Sequence, residues 1–212
     1  MDEQEVSEIT FGDPTDKQKY IMNQPHGILP VDASSPLLGV PPANDSPTTL
    51  DELKTLQERL ASPEGNVEML VKWDVDLLKP FVKYLKEHNL SYNKRDLDKI
   101  VNASTVVLLK QKYLFNRPRP VTMAKALGID LKPLGAKTAN SPAYPSGHST
   151  QSRLVALYLS GLHRDHSKSF LDLAEECGQS RLNAGVHYPS DHQGGKELAN
   201  LLYRSLTLNE LN

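Results

Sequence analysis

The sequence predicts an all-α protein: a single bundle of about six or seven helices behind an extended N-terminal arm. Three observations carry this prediction. Apolar residues recur at three- and four-residue spacing from residue 49 onward. Breaks rich in Pro, Gly and Ser divide that region into segments of helical length. No stretch alternates apolar and polar residues over the length of a convincing strand. The chain has 212 residues, enough for one domain with a well-buried core, expected over residues 49–212.

Residues 1–48 are read as the arm. Pro25, Pro30, Pro36, Pro41, Pro42 and Pro47 interrupt any long periodic element there. Ile28, Leu29, Val31, Leu37, Leu38 and Val40 are its expected apolar anchors on the domain. Helical signals begin at Thr49, where Thr49-Leu50-Asp51-Glu52 fits a capping box. Leu50, Leu53, Leu56 and Leu60 then share a face. Ser62-Pro63-Glu64-Gly65 breaks the chain. A second helix is expected from about Val67 to His88, kinked at Pro80, with Trp73 in its core-facing stripe. Further helices are expected over about Lys94–Phe115, His148–Leu162, Ser167–Asn183 and Pro189–Leu206.

Composition narrows the function classes. Net charge is −2 with both signs mixed along the chain, so nothing points to a nucleic-acid partner. Cys177 is the single cysteine, which excludes an internal disulfide and a thiolate metal cluster. It is expected as a small buried apolar residue. Met1-Asp2-Glu3-Gln4-Glu5 is acidic and lacks the apolar core of a secretory signal. No apolar run approaches the roughly 20 residues that cross a bilayer. The expectation is a soluble, cytoplasmic protein without an integral membrane segment.

Three segments carry chemistry. The first is Lys110-Gln111-Lys112 followed by Arg117-Pro118-Arg119-Pro120. Lys-x6-Arg-Pro occurs there in two registers, Lys110 with Arg117 and Lys112 with Arg119. A lysine point charge and an arginine fork suit a phosphoryl group, although cations at a helix end can also simply complement its dipole. The second is Pro145-Ser146-Gly147-His148, a tight turn opening a helix, where backbone N–H groups and the Ser146 hydroxyl can bind an anion. His148 stands where an imidazole could protonate a leaving group. The third is Arg181 with His187 and Asp191. The four-residue spacing lets Asp191 hold one nitrogen of His187 and free the other as a nucleophile.

Taken together in this order, the three segments resemble the signature of the type 2 phosphatidic acid phosphatase superfamily. That superfamily includes bacterial class A non-specific acid phosphatases and vanadium-dependent haloperoxidases. The resemblance covers about Lys110 to Asp191 and is closest in style to the soluble acid phosphatases. It implies Lys112, Arg119, Ser146, Gly147 and Arg181 as phosphate-binding residues. The register with Lys112 and Arg119 is preferred because Tyr113 through Pro120 looks like the acid phosphatases' aromatic run ending in Arg-x-Arg-Pro; Lys110 and Arg117 remain the alternative. It further implies His187 as nucleophile, Asp191 as its orienting carboxylate and His148 as general acid.

The function implied is metal-independent hydrolysis of a small-molecule phosphomonoester through a phosphohistidine, with no cofactor. Vanadate would be an inhibitor, or the cofactor if the chain is a haloperoxidase. Relatives of this kind often form homodimers. The remaining alternatives are a binding protein with a decayed site and a metal hydrolase resting on His187, Asp191 and His192, plus His163-Arg164-Asp165-His166. His192 is read as an early residue of the last helix and the His163–His166 run as a solvated loop.

Overall fold

The computed structural model describes residues 3–61 and 66–206. The expected break at 62–65 lies outside them. Among the described residues all regular structure is helical and no strand is present. The arm is not wholly extended, because it opens with two short helices, α1 (Glu3–Ser7) and α2 (Asp16–Met22). Thr15 starts α2 with a reciprocal capping box to Gln18, a signal the proline count obscured. Leu29 and Ala33 are buried in the main core, and Ile28, Val31, Leu37 and Leu38 pack against it. Val40 is instead 87% exposed. Tyr144 Oη donates to the Gly39 carbonyl at 3.0 Å and holds the backbone at the surface, with Val40 turned outward.

α3 (Pro47–Ala61) begins earlier than the capping box predicts. Ser46 Oγ accepts the Thr49 N–H at 3.2 Å, with Pro47 in the first helical position. Glu52 is therefore free of any capping task and lies buried. The helix expected over Val67–His88 is two helices, α4 (Asn66–Trp73) and α5 (Leu78–Glu87). The break precedes Pro80, because Asp76 Oδ1 accepts the N–H groups of Leu78 and Lys79 at 3.1 and 3.2 Å. Pro80 falls in the first turn of α5, where its missing N–H costs no bond.

α6 (Lys94–Phe115) is capped by Asn93 and stops at Asn116, whose φ of 48° and ψ of 34° lie in the left-handed region that Asn tolerates. Pro120 then opens a short helix, α7 (Pro120–Ala126), that the sequence reading did not foresee. α8 (Gly147–Leu162), α9 (Ser167–Asn183) and α10 (Pro189–Ser205) follow, close to their expected limits. α8 is the centre of the bundle, packed against α6, α9 and α10, while α3, α4 and α5 lie on α9. Trp73 is fully buried and meets the Phe81 ring edge-on at 5.9 Å. Cys177 is buried, which pushes its thiol up to about 12. No helix among the described residues is long and apolar enough to cross a membrane.

Candidate active site

The N-terminus of α8, the C-terminal half of α6, the start of α7, α9 and the loop before α10 converge on one cavity of about 300 Å³. Lys112, Arg119, Gly147, His148, Arg181 and His187 line it. Six of the eight residues singled out in the sequence thus share one cavity wall. Its other side is apolar, with Val75, Leu77, Val101 and Leu108.

The helix period decides between the two registers of the first segment. Lys110 and Lys112 are about 200° apart on α6, so only one can face the cavity. That one is Lys112, 4% exposed, whose Nζ donates to the carbonyls of Pro142 and Ala143. Arg119 caps α7 in extended backbone and donates to the carbonyls of Ser141 and Val186, each at 2.8 Å. Arg117 does not reach the cavity. It donates to Asp191 Oδ1 at 2.7 Å and to Glu52 Oε2 at 3.1 Å, and its guanidinium lies over the Tyr188 ring at 3.9 Å.

Among the described residues, neither Lys112 nor Arg119 forms an ion pair with a carboxylate. Two buried cations facing one cavity without a counter-ion are costly to hold there. Burial and the neighbouring Arg119 accordingly press the Lys112 ammonium well below its usual range, and burial brings Arg119 down to about 10. Arg181 is 1% exposed and paired: Nη1 donates to Asp74 Oδ1 at 3.0 Å and Nη2 to Thr138 Oγ1 at 3.2 Å. Its Nε is buried without a partner among the described residues. The N–H groups of Gly147 and His148 belong to the first turn of α8 and have no acceptor within the helix. Every one of these features favours an oxyanion with several oxygens.

His187 is held from both sides. Nδ1 lies 3.2 Å from Asp191 Oδ2, and Nε2 lies 3.0 Å from Arg119 Nη1. A carboxylate can only accept and a guanidinium can only donate. The ring is therefore the Nδ1–H tautomer with its Nε2 lone pair facing Arg119. Burial and then Arg119 keep the imidazole well below its ordinary value, hence neutral. Asp191 is fully buried, yet Arg117, His187 and the Tyr188 N–H bring it down to about 2. His148 directs Nε2 at the carbonyls of Trp73 and Asp74, each 3.1 Å away, so Nε2 carries a proton. Burial and Arg181 lower this imidazole to about 3.

Ser146 lies one layer behind the cavity wall. Its N–H donates to the Asp191 carbonyl at 2.9 Å, and its hydroxyl oxygen caps α8 by accepting the Ser149 N–H at 3.4 Å. His192 turns away from His187 and Asp191, toward Ser149 and Glu175. His163 and His166 bond to Ser91 and Tyr84 on the far loop. Among the described residues, no three His, Cys, Asp or Glu side chains are grouped to hold a metal ion.

A family model for the PAP2 superfamily matches residues 99–202, the stretch that contributes most of this wall. That stretch, just under half of the chain, is similar to the PAP2 superfamily. Over 57 residues it is 42% identical to an acid phosphatase of Zymomonas mobilis subsp. mobilis, a stretch covering 27% of this chain and 22% of that protein. A bacterial vanadium-dependent iodoperoxidase superposes with a TM-score of 0.62 at 19% identity, covering 84% of this chain and 55% of the other. A transmembrane PAP2-type phosphatidylglycerolphosphate phosphatase from Bacillus subtilis superposes with a TM-score of 0.51 at 20% identity, covering 74% and 83%. At such identities the likeness to the two structures is one of fold.

Two residues that support this site escaped the sequence reading, and a third, Arg117, was read only as the alternative phosphate-binding arginine. Asp74 links α4 to α5; its carboxylate accepts from Lys137 N, Thr138 Oγ1 and Arg181 Nη1, and its carbonyl accepts from His148. Glu52 reaches from α3 to Arg117 and Ser190. Arg117 joins Glu52 to Asp191. Asp74 and Glu52 lie outside the matched motifs, and Glu52 read as the last residue of a capping box. The one available signal was Arg117, left over once Arg119 took the other register.

Proposed function

We propose that the protein is a metal-independent phosphomonoester hydrolase acting through a phosphohistidine on His187. The observation that carries this is the pair of buried cations, Lys112 and Arg119, facing one cavity with no carboxylate partner. A phosphoryl group supplies the missing negative charge and the missing acceptors. Lys112, Arg119, Arg181 Nε and the N–H of Gly147 hold its peripheral oxygens and stabilise them in the transition state. His187 Nε2 attacks phosphorus in line; an N–P bond forms as the bond to the ester oxygen breaks. Asp191 stabilises the positive charge on the ring. His148 gives its proton from Nδ1 to the departing oxygen, the Nε2–H staying on the Trp73 and Asp74 carbonyls. Neutral His148 then takes a proton from the water that cleaves the N–P bond.

The low proton affinity that burial and Arg181 give His148 fits this role, because a bound dianion beside the ring opposes the effect of Arg181. A 300 Å³ cavity admits a phosphoryl group with a small leaving group. Vanadate fits the same residues, since His187 Nε2 offers a ligand lone pair beside the cations. The second reading is therefore a vanadium-dependent haloperoxidase. Hydrolysis of p-nitrophenyl phosphate that survives dialysis against EDTA and falls on adding vanadate supports the phosphatase. Activity lost in EDTA and restored by magnesium, manganese or zinc overturns it. Halide oxidation by peroxide with bound vanadate, without phosphatase turnover, selects the second reading.

A further inference from the structure

The start of α10 holds a buried set of charges that includes two groups the reaction above does not use. Glu52 on α3, Arg117 between α6 and α7, and Asp191 on α10 are 8%, 3% and 0% exposed. Arg117 lies between the two acids. Its Nη1 donates to Asp191 Oδ1 at 2.7 Å and its Nη2 to Glu52 Oε2 at 3.1 Å. Glu52 Oε1 accepts the Ser190 N–H in the first turn of α10. Arg117 Nη1 also donates to Ser190 Oγ at 2.7 Å, so the Ser190 proton goes to Glu52 Oε2, 2.9 Å away. We propose that Glu52 is a positioning residue for the nucleophile: it compensates the charge of Arg117, so that the charge of Asp191 is left to serve His187. This rests on the phosphatase reading of the cavity.

Asp191 both needs Arg117 and is weakened by it. With Oδ1 held by Arg117, Oδ2 meets His187 Nδ1 at 3.2 Å and the Tyr188 N–H at 2.9 Å. That contact orients the ring. A guanidinium paired with Asp191 alone, however, would cancel the carboxylate and leave no net charge behind the imidazole. His187 gains positive charge as Nε2 bonds to phosphorus. The other charged groups acting on the ring, Arg119 and Lys112, are both cations and oppose that charge.

Glu52 settles this balance. Together, Glu52, Arg117 and Asp191 carry one net negative charge. Among the described residues, no other lysine or arginine pairs with either acid. Buried charges are screened far less by salt than exposed ones, so the net charge acts on the ring although Glu52 does not touch it. Glu52 has no competing duty at the start of α3, where Ser46 Oγ accepts the Thr49 N–H.

Titration of the full chain with inorganic phosphate and with vanadate tests this. Both meet the same cations, but only vanadate becomes five-coordinate by accepting the Nε2 lone pair, which draws positive charge onto the ring. Glu52→Gln should weaken vanadate binding by about ten-fold, the equivalent of one pKa unit of lost ring stabilisation. It should slow phosphohistidine formation similarly, while phosphate binds no more weakly than to wild type. Combining Glu52→Gln with Arg117→Met should recover most of the vanadate affinity, because Asp191 again stands uncancelled. A packing role for Glu52 predicts a larger loss in the double variant. If the double variant does not fold, Glu52→Asp gives the same comparison: it keeps the charge and should bind vanadate more tightly than Glu52→Gln. Equal weakening of both anions in Glu52→Gln, a larger loss in the double variant, or Glu52→Asp no better than Glu52→Gln would overturn the proposal. A wild-type protein that binds both anions but forms no phosphohistidine would overturn the phosphatase reading instead, and the vanadate comparison would still decide the role of Glu52.

Discussion

His187 Nε2 lies 3.0 Å from Arg119 Nη1, while its Nδ1 faces Asp191. Without an oxyanion, Arg119 thus occupies the lone pair that must attack phosphorus. A phosphoryl group that draws the guanidinium onto its oxygens would release the nucleophile at the moment of binding. Arg119→Ala should therefore raise the proton affinity of His187, because the cation that opposes its charging is gone. It should also lower kcat/KM by about 10²–10³-fold through lost charge stabilisation. Histidine NMR across pH reads the first effect; an unmoved His187 titration would show that Arg119 does not set its charge.

Arg117 and Arg119 should separate cleanly. Arg117→Met leaves Glu52 and Asp191 buried without their cation, which costs about 3–5 kcal/mol of stability. Its effect on phosphate affinity should be small beside that of Arg119→Ala. Lys112→Ala should weaken phosphate and vanadate binding strongly, and Lys110→Ala little. Thermal unfolding and phosphate titration on the same variants give both readouts, and a strong binding defect in Lys110→Ala would reverse the register.

How much of this is legible in the sequence is clearest at the junctions. The four long helices from Lys94 onward announce themselves because apolar periodicity is sustained over several turns and breaks rich in Pro, Gly and Ser bound it. The site residues were legible as types, since phosphoryl chemistry demands cations, a glycine turn and a held imidazole. What failed depends on distant chain. Asp74, at the α4–α5 break, bonds to Lys137, Thr138 and Arg181, more than sixty residues away in sequence. Glu52 looked like the last residue of a capping box, yet its partner is Arg117. Short α7 and α2 lack the length for a periodic signal.

Acid should destabilise the free protein well before it unfolds exposed surface. His148 and His187 resist protonation when folded, but protonate near pH 6.5 in the unfolded chain. The unfolded state therefore binds more protons as pH falls below about 6.5, and stability falls with it. The His148 contribution is lost progressively down to about pH 3. Asp191, held at about 2, adds a further loss below the ordinary carboxylate range. Melting temperature measured from pH 7 to 3 should fall steadily, and less so in saturating phosphate; a flat profile would contradict the assigned charge states.

Phosphate binding should be accompanied by proton uptake. Lys112 and His148 are both held below their ordinary values by burial and by neighbouring arginines, and a bound dianion relieves both. Calorimetry in buffers of different ionisation enthalpy counts these protons. Binding without uptake at any pH between 5 and 9 would show that neither group answers to the anion.

The central claim is that His187 becomes phosphorylated during turnover. Enzyme mixed rapidly with p-nitrophenyl phosphate, denatured in alkali and digested should yield one phosphorylated peptide, with the phosphoryl group on His187. Asp191→Asn should yield less of it, and His187→Ala, still folded, none, with turnover lost. Full turnover in His187→Ala, or a phosphoryl group found only on another residue, would contradict the account.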